Sequence, residues 1–523
     1  MIEAFKAIAA LAAPPVALPY AETHFKFKLP WSPIYRRWPE IFIDGPSFCV
    51  PGVKPVFYLA VKDGDFFPVR VKEIELLLTW PGGSRKHTLN PDFTPGSNLV
   101  FHPLEIDFTG CTGQVSILAR ITAEKPGGAR RTFVNANFPG IPPSPLLITF
   151  LASPLPYPAG WHGGELHCHS DYSNDPVEYG APLSVLQEAG RALGMGYVVC
   201  TDHSYDFYYN RRRYMERIDP NANFREYREE ALALNRGLAG GSGTVVIPGE
   251  EVSCGNYLGE NVHLLVAGHP EFLPGLGDGG RRWLNNQPDL RIEEVLERIG
   301  GTPAFAAHPR SRIGGLERFI FRRGMWHERD LRPNARIRGV DGLQFWNGNR
   351  GNAYADGRAF WVDRLLRGER ISPIGANDAH GDLNRCIGIK TPLFSLYHNR
   401  NHVYGHVRTV VKTEEHSLEG IQAGLAAARL VCTDGPFLDL DSRAGGIRLA
   451  GATTVDFGSF TKATVWAGRR GETKEIKVQA WGWESGGPMD FSEAVSAPAG
   501  AAYIRAEAET AGGRFALTAP VYL

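Results

Sequence analysis

Tyr197-Val198-Val199-Cys200-Thr201-Asp202-His203 has the composition of a short buried strand that ends in polar chemistry. Four apolar residues run up to a carboxylate and an imidazole placed where the strand stops. A helical pattern at 182–193 precedes it and another at 224–238 follows it. The same alternation extends outward. Apolar runs stand at 245–247, 262–266, 304–307, 342–345 and 371–374, with further helical patterns at 292–299 and 353–367. Strands alternating with helices predict an α/β domain with a largely parallel sheet. In such folds functional side chains collect at the carboxyl ends of the strands.

On either side the rhythm changes. Between 25 and 151, short alternating runs at 56–61, 73–78 and 115–121 are separated by turns such as Pro81-Gly82-Gly83 and Pro126-Gly127-Gly128, which predicts an antiparallel β-sandwich. A proline-rich stretch at 139–158 reads as a connection, and strands return after about 408 with one helix at 418–428. The expected organisation is an N-terminal segment 1–24, a β-sandwich domain 25–151, a linker 152–161, an α/β domain 162–405 and a C-terminal β-rich domain 406–523.

Composition narrows the function classes. Hydrophobic residues at 43% and charged residues at 21% suit a globular chain with ample core. The 56 Lys and Arg cancel the 56 Asp and Glu, so no basic excess favours nucleic acid or an anionic membrane, and the expected partner is a small-molecule substrate. Seven scattered Cys without a Cys-x-x-Cys pair do not form a disulfide framework or zinc ribbon. The apolar opening at 7–18 is short and proline-broken, and Glu3 precedes Lys6, a poor signal peptide; the expectation is a cytoplasmic protein. Oligomeric state is not legible.

Metal-ligand residue types recur at the strand ends. Glu165-Leu166-His167-Cys168-His169 puts two imidazoles two residues apart, on one face of a strand. His203 ends the next strand; Glu250 and Glu251, His263, His308-Pro309 and then Asp378-Ala379-His380 follow. Each alone is explained by a satisfied buried histidine or a loop residue. Together they place six of the 16 His, with Glu251 and Asp378, at successive strand ends of one domain. Imidazole and carboxylate donors without thiolates suit zinc, manganese or iron(II). Eight or nine donors exceed one ion, so two or three are expected, with a carboxylate such as Glu251 bridging and a water activated between ions roughly 3.5–4 Å apart.

His167-Cys168-His169, Thr201-Asp202-His203, Gly249-Glu250-Glu251, His263, His308-Pro309 and Asp378-Ala379-His380, in this order, resemble the polymerase-and-histidinol-phosphatase (PHP) superfamily of metal-dependent phosphoesterases over 162–400. The resemblance implies a distorted seven-stranded (β/α) barrel, a TIM-like barrel, with a two- or three-metal site at the strand ends. It departs at Glu165, where the family has Asp, and in a further ligand that falls on Asp175 or is lost at Asn174. Glu251 takes the family's Gly-x-Glu position, leaving Glu250 a solvent-facing or supporting role. The stretches 408–411, 431–438, 503–507 and 517–523 are similar to the carbaryl-hydrolase branch, whose members include hydrolases of carbamate and aryl ester bonds.

The expected function is metal-dependent hydrolysis by a hydroxide held between ions, of a small-molecule phosphoester first and of a carboxylic ester, carbamate or amide as the alternative. The implied metal ligands are His167, His169, Asp175, His203, Glu251, His263, His308, Asp378 and His380. His203 or Asp202 is expected to protonate the leaving group, and Arg310, with Arg312, to dock a phosphate or carboxylate. Asn347, Asn349 and Asn377 offer amides to a substrate carbonyl, and Trp326 and Trp346 an aromatic wall. Arg211-Arg212-Arg213 and nearby tyrosines suggest a lid. His398, His402, His406 and His416 share no spacing and are left outside the site. The rival from another class is a binding protein whose central domain has lost catalysis.

Overall fold

The computed structural model describes residues 38–523 except 138–143, 174–178, 239–242, 280–285, 312, 315–317, 319–320, 334–335, 382, 386–387, 391–394, 398–401, 444–445 and 484–485. The 1–24 segment, Asn174, Asp175, Arg312 and His398 lie outside the described residues.

Trp161–His169 (β1), Tyr197–His203 (β2) and Val245–Gly255 (β3) run parallel, with Leu183–Ala192 (α1) and Pro220–Arg236 (α2) in the crossovers. Asp219 caps α2 by accepting from the Asn221 N–H at 3.1 Å, and Pro220 supplies a ready helical φ at its first position. The alternation then breaks. Asn261–Val266 (β4) pairs antiparallel with β3, placing His263 opposite Ser253, and antiparallel again with Ala304–Ala307 (β5).

Parallel pairing resumes from β5 to Gly342–Asn347 (β6) and Ser372–Ala376 (β7). Ile292–Ile299 (α3) precedes β5, Glu328–Leu331 (α4) precedes β6, and Asn352–Leu366 (α5) joins β6 to β7. The α3 stripe Ile292, Val295, Leu296 and Ile299 is buried at helical spacing, and the Glu294 carboxylate accepts from the Arg291 N–H at 2.7 Å to close its first turn.

At its other edge β1 pairs antiparallel with Arg408–Lys412 (β8), and β8 with Leu430–Thr433 (β9), across the helix Leu418–Ala426 (α6). Phe515–Thr518, Tyr503–Thr510, Phe460–Gly468 and Ile476–Gly482 carry the sheet onward. The outcome is one mixed sheet of 15 strands.

This corrects the expected fold. Strand makes up 41% and helix 16%, with six helices among the described residues, so the chain is mostly β and not an α/β distorted (β/α)7 or TIM-like barrel. The physical reason lies at two joints. Residues 256–260 are too few for the dozen or more that a parallel crossover needs, so β3 and β4 form a hairpin. The segment after 405 continues the central sheet through β8, which adds further antiparallel strands.

Residues 40–150 form a three-stranded and a six-stranded sheet around a core that includes Ile41, Leu59, Val71, Ile117 and Ile148. In the central region Leu166, Val199, Ile247, Leu265, Phe305 and Ile374 come from different strands and pack with Ile421 and Leu425 of α6. Each such fully buried side chain contributes about 1.5–3 kcal/mol, enough to fix the strand ends relative to one another. Among the described residues no helix is long and apolar enough to cross a membrane.

Candidate metal centre

The strand ends converge on Glu251. On β3 successive side chains alternate faces, so Glu251 enters the centre while Glu250 turns away; there its Oε2 accepts from the Leu273 N–H at 3.2 Å, and burial pushes its carboxyl well above the usual range. Glu250 is therefore buried and does not face solvent. Glu251 Oε2 lies 2.9 Å from His203 Nδ1, 3.3 Å from His167 Nε2 and 3.4 Å from His169 Nε2. Its Oε1 contacts His263 Nδ1 and lies 3.3 Å from His308 Nε2.

Asp378 Oδ1 is 3.1 Å from His167 Nε2 and 3.3 Å from His169 Nε2. Ala379–His380 pairs alongside β1, stacking the His380 imidazole on His169 at 3.9 Å. The donors fall into three overlapping groups, each with its ligand atoms within 4.8 Å of one another: His169, His203 and His380; His167, His169, Glu251 and Asp378; His203, Glu251 and His263. His308 and Asp378 adopt left-handed backbone, at φ 29° and 55°. Such strain costs about 1–3 kcal/mol per residue and is stored where a side chain must be aimed.

The imidazoles are oriented from behind. Gln344 Oε1 accepts from the His308 N–H at 3.3 Å, so it also accepts from His167 Nδ1, at 2.9 Å, which turns the Nε2 lone pair inward. Ser173 Oγ accepts from the His203 N–H at 3.2 Å and lies 3.2 Å from His169 Nδ1. His263 donates Nε2–H to Asp278 at 2.8 Å and His380 donates Nδ1–H to the Asp378 carbonyl at 3.0 Å. Fixing one ring nitrogen as a donor so that the other presents a lone pair is how metal-binding histidines are held.

Burial disfavours charge on His167 and His263, yet Asp378 and Glu251 hold His167 up at about 10, and Glu251 with Asp278 holds His263 up at about 9. His169 moves the other way: burial and the neighbouring His380 and His203 keep it well below its ordinary value. Against burial, the surrounding histidines hold Glu251 well below the carboxylate range, and His167 does the same for Asp378. The centre thus demands compact positive charge but cannot protonate every imidazole. His167 Nε2 and Glu251 Oε2 are buried and make no hydrogen bond to a described residue. Nitrogen and carboxylate donors with unspent lone pairs fit divalent cations of the zinc, manganese or iron(II) type.

Eight of the nine expected ligands come together: His167, His169, His203, Glu251, His263, His308, Asp378 and His380. Asp202 does not join them. Its Oδ1 accepts from the N–H groups of Ser170 at 2.8 Å and Ser173 at 3.0 Å, and its Oδ2 from the Ser170 hydroxyl at 2.7 Å, so it organises the turn after β1. Glu165 also braces backbone. Its Oε1 accepts from the N–H groups of His167 at 3.2 Å and Asn377 at 3.0 Å, tying together the two arms that carry the expected ligands. Asn377 is fully buried and donates to Glu165 and the Val407 carbonyl, which removes it from any substrate. Trp346 packs against Tyr354 and Phe515. Arg211 is held by Glu230 at 2.9 Å and Glu226 at 3.2 Å.

Gln344, Ser173 and Asp278 are absent from the expected site. A lone amide inside the apolar run 342–345 is a signal that could have found Gln344. Asp278 sits in a glycine-rich loop with no periodicity to mark it, and there it binds Arg323 Nε at 2.8 Å as well as His263.

A cleft of about 330 Å³ opens beside the centre. His263, His308 and Asp378 form its inner end, Trp326 and Phe345 contribute apolar wall, and Arg310 and Asn349 also line it. Among the described side chains of the arginine-rich insertion at 205–217, none lines it. His402 does, with its Nδ1 donating to the Asn377 carbonyl at 2.7 Å. His416 instead stacks on His162 at 4.3 Å.

No family model matches the chain, and no curated protein matches it. Among solved structures, the cycloisomaltooligosaccharide glucanotransferase of Paenibacillus sp., complexed with cycloisomaltoheptaose, aligns with 92% of this chain and 71% of its own at 10% identity. The TM-score of 0.16 is too low for that likeness to bear on fold or function.

Proposed function

We propose that this chain is a metal-dependent hydrolase of small-molecule phosphoesters, with two or three divalent ions held by His167, His169, His203, Glu251, His263, His308, Asp378 and His380. The observation that carries the reading is the three overlapping donor groups, linked pairwise through Glu251, His169 and His203, with His167 Nε2 and Glu251 Oε2 buried among them. The order of motifs that resembles the PHP superfamily supports the phosphoester over other substrates. When bound, such ions supply Lewis acidity and an activated water.

The chain's own part is orientation and exclusion. Gln344, Ser173 and Asp278 hold the outer ring nitrogens of His167, His169 and His263 and so aim the inner nitrogens at the centre. The cleft admits a small substrate along its apolar wall and delivers the reacting bond to the end lined by His308 and Asp378. His203, stacked on Tyr205 at 4.5 Å, remains the candidate for passing a proton to the leaving group; Asp202, committed to Ser170 and Ser173, does not.

Trp326 and Phe345 in the cleft favour a second reading, an aryl ester or carbamate as substrate. Manganese- or zinc-loaded protein assayed on 4-nitrophenyl phosphate, an aryl ester and an aryl carbamate separates the two. The phosphoester is expected to turn over, and Glu251→Gln to lose at least 10³-fold, on the order of 4 kcal/mol in transition-state stabilisation. Turnover of the carbon esters alone would remove the phosphoesterase reading.

A further inference from the structure

The sequence suggests that Arg310 docks the reacting group; the structure seats its guanidinium against Phe360, with no ion pair to Glu251 or Asp378 among the described residues. His308 turns into the centre, and Arg310, two residues on, lines the same cleft with its guanidinium 4.0 Å over the ring of Phe360 on α5. Among the described residues it makes no ion pair with Glu251, Asp378 or any other carboxylate. The charges that act on it are Arg364, which repels it, and Asp356 and Glu328, which attract it from beyond contact.

The other described arginine on the cleft is different, because Arg323 is committed to Asp278 at 2.8 Å. A half-buried cation beside a second arginine, without a counter-ion in contact, is left short of compensation that an anionic ligand supplies. Asn349 stands on the same cleft; its Oδ1 accepts from the Gly351 N–H at 2.7 Å, which leaves its NH2 as the group to offer.

We propose that Arg310 forms a second anion subsite, apart from the metal centre, and that the substrate carries a carboxylate there, separated by an apolar body from the bond that is cleaved. A single guanidinium fork matches one carboxylate. A cleft of about 330 Å³ with Trp326 and Phe345 in its wall fits a short apolar spacer rather than a polymer. The inference rests on the hydrolase reading for what happens at the centre, while the subsite itself is a binding property that can be measured without turnover.

Calorimetric titration with α,ω-dicarboxylates from succinate to suberate, each against the monocarboxylate of equal length, tests it. At least one dicarboxylate is expected to bind tenfold or more tightly than its partner. Arg310→Gln is expected to reduce that advantage to less than threefold, and Arg310→Lys, which keeps the charge and loses the fork, to leave an intermediate one. Absence of any dicarboxylate advantage, or the same advantage in wild type and both variants, overturns the subsite. A protein that shows the Arg310-dependent advantage but hydrolyses no ester upholds the subsite and overturns the hydrolase reading instead. One that hydrolyses esters without the advantage does the reverse.

Discussion

Two regions of the 15-stranded sheet bury charge, and they do so in opposite ways. Arg505, on the strand Tyr503–Thr510, is fully buried, with Nε 2.7 Å from Glu475 and Nη1 2.5 Å from Glu507; Glu507 also takes Arg358. Opposite charges meet there in closed pairs. Around Glu251, six imidazoles crowd two carboxylates, and among the described residues His167 Nε2 and Glu251 Oε2 have no partner outside that cluster. A closed network holds strands together and has nothing to offer a ligand. An incompletely paired one costs stability and keeps lone pairs for a cation.

The contrast can be broken from either side. Arg505→Met leaves Glu475 without its arginine and Glu507 with Arg358 alone, and should lower stability by about 3–5 kcal/mol in urea unfolding, with metal content unchanged. Loss of metal in that variant would show that the two regions are not separable.

A smaller effect follows from His406, which burial, then Arg514 and Arg408, hold down at about 4. Between roughly pH 6.5 and 4 the unfolded chain binds a proton there that the folded chain refuses. Stability should therefore fall as pH falls through that window, by up to about 3 kcal/mol. His406→Gln should flatten that part of the stability–pH curve; an unchanged slope would assign it to other groups.

The smallest effect sharpens the metal side. Asp278→Asn keeps the size of the side chain but weakens the hold on His263 Nε2–H, and should cost about 10–100-fold in metal affinity measured by competition with a chelator. Unaltered affinity would leave Asp278 a purely structural partner of Arg323.

The site is more legible in the sequence than the fold. Candidate ligands such as His167 and His169 are written locally, two apart on a strand, and the strand ends that carry His203, Glu251, His308 and Asp378 can be read from apolar runs that stop at polar residues. Pairing direction is not written in those runs. The run at 262–266 has the same composition whether parallel or antiparallel; only the short gap at 256–260 discloses the hairpin, and the strand–helix alternation around it masks that signal.

The continuation of the sheet through β8 is hidden for a related reason. Periodicity reports which residues form strands but not which edge a distant strand will join. Asp202 and Asn377 could not be placed from sequence, because a polar residue beside ligands looks the same whether it faces the centre or braces the backbone behind it.

The most direct test is elemental analysis of the protein purified without added metal, alongside Glu251→Gln. The account predicts two or three equivalents of zinc, manganese or iron in the wild type and at least one fewer in the variant, with both folded by circular dichroism. A folded wild type that holds no divalent ion, even after incubation with zinc, manganese and iron(II), would contradict it.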